Sequence, residues 1–140
     1  MAINTDFLNR CIGTLAEAFE HLRKTGDDDP HYDIFRAAAV KEFEIVLEQC
    51  GSLLKKRLRP YFASHREADR LTFKDAFRRA AQHGLISVEA SERWFAYRDN
   101  RNDTAHHYGE RFAESTLLLL PDFIDDAKEL ARVISESNDG

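Results

Sequence analysis

Only two cysteines, Cys11 and Cys50, occur in the 140 residues, too few for a disulfide framework, and neither belongs to a CxxC pair. Each lies within an apolar helical pattern, where a free thiol packs as a small hydrophobe. The six histidines include the adjacent His106 and His107 but no His-x-x-x-His spacing, so no metal site is expected. Three prolines and six glycines impose few breaks, which permits long helices. No apolar run approaches the roughly 18 residues that span a bilayer. The N-terminal residues lack the basic-then-apolar order of a signal peptide, so a cytoplasmic protein without membrane association is expected. No segment alternates with a period of two, and no internal repeat is present.

What remains is rich in hydrophobic residues (43%) and charged residues (32%), the balance of a globular chain. Its length suits a single domain over 1–140 with a continuous core. The net charge of −5 conceals an asymmetry. Residues 52–79 carry nine Lys or Arg against Glu67, Asp69 and Asp75, a local +6, while the rest of the chain sums to −11. Such a patch can steer a phosphate-bearing ligand, although a solvated helix face has the same composition.

Helical periodicity organises the chain. Phe7, Leu8, Cys11, Ile12, Leu15, Ala18, Phe19 and Leu22 define one face, with Asn4 or Thr5 as cap and a stop in the run Thr25–Pro30. A second apolar face runs from Ile34 and Phe35 through Phe43, Val46, Leu47, Cys50 and Leu54 to Leu58, and Pro60 ends or bends it. Residues 61–70 read as a polar connection. Thr72 caps a short helix that ends at Gly84, and Ser87 caps the next, which carries Val88, Ala90, Trp94, Phe95 and Tyr97. The last pattern extends from Phe112 to Ile134 with a kink expected at Pro121. Four long helices plus a short one predict an all-α, antiparallel up-and-down bundle.

The segment Arg101-Asn102-Asp103-Thr104-Ala105-His106-His107-Tyr108 concentrates chemistry where helix formers run out. Arg offers a fixed fork of donors for a phosphodiester oxygen, and His exchanges protons near neutral pH. Together they suffice for metal-independent RNA cleavage, with His106 activating a 2′-hydroxyl or protonating a leaving oxygen and Asn102 orienting either group. On a continuous helix Arg101 and His106 diverge by about 140°, so two copies meeting across a two-fold axis would compose one site better than one copy does. A homodimer is therefore expected. A polar helix end with an incidental Arg and His is the alternative.

Arg101-Asn102-x-x-x-His106-x-Tyr108 resembles the signature of HEPN-domain proteins, and more narrowly the branch called nucleotidyltransferase substrate-binding proteins. Phe43-Glu44 with Glu48, followed by Leu53 and Leu54, is similar to the second-helix element of that branch, and Pro121 falls where the branch often has one. Gly51 departs, standing where the branch often carries Trp, and so does Lys41-Glu42. The resemblance implies a HEPN-like bundle acting as a ribonuclease-type toxin (catalytic Arg101, Asn102 and His106), with no cofactor. It also implies a minimal nucleotidyltransferase partner that adds AMP to Tyr108. The alternative is a non-catalytic subunit that holds a nucleotide substrate for that partner. Glu44 and Glu48 share a helix face and, if buried, need a partner such as Arg101 or His106.

Overall fold

In the computed structural model of the chain, residues 3–103 and 110–136 are described, those at 102, 103 and 110–112 by their backbone alone. Helix α1 spans Asp6–Lys24, α2 Pro30–Leu58, α3 His65–Asp69, α4 Phe73–Gln82, α5 Val88–Asp103 and α6 Glu110–Ser135, with a 3₁₀ turn over Arg59–Tyr61. No strand occurs among the described residues, and none of their helices is long and apolar enough to cross a membrane.

Local chemistry accounts for the boundaries. Asn4 Oδ1 accepts from the Asp6 amide at 2.8 Å and closes the start of α1. Asp29 caps α2 by accepting from the His31 amide at 2.8 Å, with Pro30 placed where its missing N–H costs nothing. Thr72 accepts from the Asp75 amide at 3.1 Å and Ser87 from the Ala90 amide at 3.0 Å. Beyond α4, Gly84 has φ +74°, the left-handed geometry that ends helices and that glycine tolerates best. Pro60 lies in the 3₁₀ turn that follows α2, and α6 is one helix through Pro121.

Two expectations require correction. The polar connection 61–70 contains α3, five residues long, started by Ser64 accepting from the Glu67 amide at 3.2 Å. Phe7, Ile34 and Val88, assigned to apolar faces, are instead exposed. Each lies in the first turn or two of its helix, and beside Phe7 it is Leu8 that takes the core position.

The core forms where α1, α2, α4, α5 and α6 pack together. Side-chain pairs fix their directions: α2 runs antiparallel to α5 and parallel to α6, and α4 lies antiparallel to α5. Phe77 stacks on Trp94 at 4.7 Å, and Phe123 of α6 meets Phe43, Tyr97 and Trp94 at 4.7, 5.0 and 5.6 Å. Both cysteines are buried and unbridged. Gly51 has the Phe73 ring of α4 against its backbone: an added Cβ would lie 2.7 Å from the ring. The aromatic contact expected from a Trp at position 51 thus comes from α4 instead.

Candidate functional site

Helix α5 continues through the run that is poor in helix formers, where Arg98, Asp99, Asn100 and Arg101 each have a partner on another helix. Asn100 Nδ2 donates to Thr116 Oγ1 at 2.9 Å, and Ser115 Oγ donates to Asn100 Oδ1 at 2.9 Å. Thr116 is fully buried, so this clasp joins the last turn of α5 to the first half of α6 within the interior. Two turns earlier, Asp126 of α6 accepts from Arg93 Nε and Nη2, both at 2.8 Å, and from the Tyr97 hydroxyl at 2.5 Å. Burial and this carboxylate push the Tyr97 phenol well above its ordinary pKa and keep it neutral. The sequence reading missed both clusters. Asn within a helix was the available signal for the first, since such a residue disfavours helix unless its amide is used elsewhere.

Residues three apart on a helix share a face, which directs Arg98 and Arg101 together toward α2. Glu44 and Glu48 share the facing side of α2. Antiparallel packing then yields two rungs: Arg98 Nη1 to Glu48 Oε1 at 2.7 Å, and Arg101 Nε to Glu44 Oε2 at 3.9 Å. Glu44 therefore meets Arg101 as anticipated, whereas Glu48 is largely exposed and pairs with Arg98 rather than Arg101. The correction comes from interhelical register, because one turn along α2 corresponds to one turn back along α5. Half-exposed pairs of this kind contribute about 0–1 kcal/mol each, so they orient side chains more than they stabilise the fold.

Lys41, Glu44, Ile45, Glu48, Gln49 and Arg101 line a shallow depression of about 360 Å³. A second, of similar volume, shares Lys41 and Glu44 and extends to Arg36, Val40 and Ala113. At its rim Arg36 pairs with Glu114 of α6 at 3.0 Å. Arg101 thus stands at the end of a trough along α2, floored by apolar side chains and edged by both signs of charge. Such a surface can receive an extended polar strand at its guanidinium. Asn102 lies in the final turn of α5, where only its backbone is described. His106 and Tyr108 fall within 104–109, outside the described residues.

Residues 6–136 match the family described as nucleotidyltransferase substrate binding protein like. A Haemophilus influenzae protein named probable ribonuclease HepT is 30% identical over 106 residues, 76% of this chain and 71% of that one. A solved Haemophilus influenzae structure, described as revealing the fold of a substrate binding domain of a nucleotidyltransferase, superposes with a TM-score of 0.80 at 27% identity. It covers 94% of this chain and 98% of the other. A Thermus thermophilus structure gives a TM-score of 0.71 at 24% identity, covering 90% and 98%, and supports the fold alone.

Proposed function

This chain belongs to the family of nucleotidyltransferase substrate-binding-like proteins with the HEPN-like all-α fold, and from that premise we propose that it is a toxin subunit that cleaves RNA without a metal ion. In this reading a minimal nucleotidyltransferase is its partner and neutralises it by transferring AMP to Tyr108. The protein works as a homodimer in the cytoplasm. Arg101 holds a non-bridging phosphate oxygen with its fork of donors. His106 takes the proton of the neighbouring 2′-hydroxyl, or in the second copy returns one to the departing 5′-oxygen. The 2′-oxygen bonds to phosphorus as the bond to the 5′-oxygen breaks, leaving a 2′,3′-cyclic phosphate and a free 5′-hydroxyl. Asn102 orients the reacting groups, and Glu44 keeps the guanidinium over the depression. AMP on Tyr108 places a bulky anion where the RNA phosphate must lie.

The observation that supports this reading most is the Glu44–Arg101 pair lining the trough at the end of α5, immediately ahead in the chain of His106 and Tyr108. The description of the solved relative as a substrate binding domain favours a second reading, in which the trough holds a nucleotide for the partner and catalyses nothing. Cleavage of RNA by purified protein in EDTA separates the two. The first reading expects cyclic-phosphate ends, and loss of cleavage in His106→Ala and Arg101→Ala with helicity unchanged. Equal cleavage by those variants, or strict dependence on added metal, would falsify it.

A further inference from the structure

The basic stretch 52–79 runs from the C-terminal part of α2 through α4, whose first turn meets α5 where Lys74 pairs with Asp99. Lys55, Lys56 and Arg57 close α2, Arg59 opens the 3₁₀ turn, and Arg79 lies in the last turn of α4. Asp69 is taken by Arg59 through two bonds of 3.1 and 3.0 Å, which hold its carboxyl below the usual range. Lys74 and Arg78 are matched by Asp99 and Asp75. The excess positive charge therefore collects at the C-terminal ends of α2 and α4. Arg57 is thirteen residues beyond Glu44 on the same helix, about 20 Å along its axis.

Arg57 has an environment unlike that of its neighbours. It is only 9% exposed, and its Nε is buried with no hydrogen-bond partner among the described residues. Its recorded contact is with the face of Tyr61, 6.0 Å from the ring centroid. The stem and Nε of Arg57 are thus held in the bundle with no carboxylate beside them, and the dipole of the α2 terminus supplies only part of a counter-charge for its guanidinium. Tyr61 continues the array: it is 43% exposed and stacks on His83 at 3.9 Å, with the rings 15° from parallel. Beside it, Arg79 lies over the half-buried Phe62 ring at 5.7 Å. Cations interleaved with exposed flat rings are what single-stranded nucleic acid requires, phosphates meeting the charges and bases the rings. A docked protein would need apolar area, and Tyr61 is the single large apolar side chain exposed on residues 52–83 among those described.

We propose that the C-terminal ends of α2 and α4 form an anchoring site for single-stranded RNA, in which Arg57 meets a phosphate and the Tyr61–His83 pair stacks on a base. The proposal rests on the RNA reading of the Arg101 trough and adds a length requirement to it. A strand held at both places must extend several nucleotides beyond the step that is cut, and shorter strands reach the trough alone.

Binding is measured by fluorescence anisotropy, using the full chain, EDTA and an unstructured RNA of about 15 nucleotides, with a trinucleotide for comparison. Arg57→Met and the exposed pair Lys56→Ala/Arg79→Ala should each weaken binding of the long strand about tenfold. The paired variant should also flatten the salt dependence, its log–log slope falling by about 1–2. Trinucleotide binding should not change, and Arg57→Met should unfold at the parental temperature or above, because a buried donor without a partner is gone. A guanidinium that only supports the fold gives the opposite pattern: a lower unfolding temperature for Arg57→Met and parental binding by the paired variant. That result overturns the proposal. So does parental RNA binding by both variants combined with failure to co-elute with the nucleotidyltransferase, which assigns the surface to protein docking. Because binding is read without turnover, anchor-dependent affinity in a protein that cuts no RNA removes the nuclease reading and upholds the anchor. Equal kcat/KM on long and short strands, unchanged in the variants, removes the anchor and upholds the nuclease.

Discussion

Replacing Gly51 by Ala sets two opposing effects against each other inside one helix. Glycine in a helix interior is about 1 kcal/mol less favourable than alanine, so the backbone gains from the change. The new Cβ, however, meets Phe73 Cδ2 at 2.7 Å and Cε2 at 3.0 Å. Ordinary carbon contacts lie near 3.5–4.0 Å, so the overlap to be relieved is about 0.8 Å. The ring has little freedom to retreat, with Phe77 at 4.7 Å on one side and the Arg98 guanidinium over it at 5.1 Å. Overpacking of this sort costs about 1–3 kcal/mol, which cancels or exceeds the helical gain. Gly13 supplies the internal control: it lies in the middle of α1 with nothing within 4 Å of an added Cβ. Gly13→Ala should stabilise by about 0.5–1 kcal/mol, and the two substitutions should differ by about 1–3 kcal/mol in urea unfolding followed by circular dichroism. Trimming the ring in Gly51→Ala/Phe73→Leu should recover part of the loss, a non-additivity expected only of touching groups. If Gly51→Ala stabilises as much as Gly13→Ala, the close approach does not exist and the substitution of Phe73 for the missing Trp is wrong.

Tyr97→Phe removes a donor from the buried Asp126 carboxylate and should cost about 1.5–3 kcal/mol in denaturant unfolding, with Arg93 still in place. Cys50 is fully buried and its thiol is pushed upward by desolvation, so the native state keeps this proton after the unfolded state has lost it. Stability should therefore fall as pH rises above about 8.5, a slope that Cys50→Ala removes up to about pH 10, where the neutral Tyr97 phenol begins to act in the same direction, and thiol reagents should label Cys50 no faster than the protein opens. Asn100→Ala strands the buried Thr116 hydroxyl and should lower stability by about 1–3 kcal/mol. A loss of RNA cleavage greater than the loss of folded protein would show that the clasp also positions Arg101.

Helix content and the starts at Thr72 and Ser87 were legible because they depend on chemistry within one turn, whereas Asp29 and Pro30, read only as a stop, also begin α2. Helix α3 was not, since five residues with Ala68 as the one apolar member contain less than two turns and show no period. The Glu44–Arg101 rung could be anticipated from shared faces alone. Assigning Glu48 to Arg98 needed the sliding register between α2 and α5, which no one-dimensional spacing contains. The buried Arg57 had a faint signal: it follows Cys50 by seven and Leu54 by three, a core-facing spacing inside a run of charges that otherwise reads as solvated.

These features share a dependence on α2. Its middle bears the glutamates that meet α5, its C-terminal turn carries the buried Arg57, and its 29 residues form one uninterrupted helix. Arg101 is held from two sides, by Glu44 of α2 and, through Asn100 one residue earlier, by Thr116 of α6. The Phe43–Phe123 contact ties α2 to α6 directly. The turn of α5 that carries Arg101 is therefore tied to both α2 and α6, which suits the phosphate-holding role proposed for this side chain. In the proposed mechanism Arg101 supplies the anion-binding donors and His106, later in the chain, the proton transfer. For that reason, loosening the Asn100 clasp should raise KM for RNA through Arg101 before it alters any group that transfers a proton.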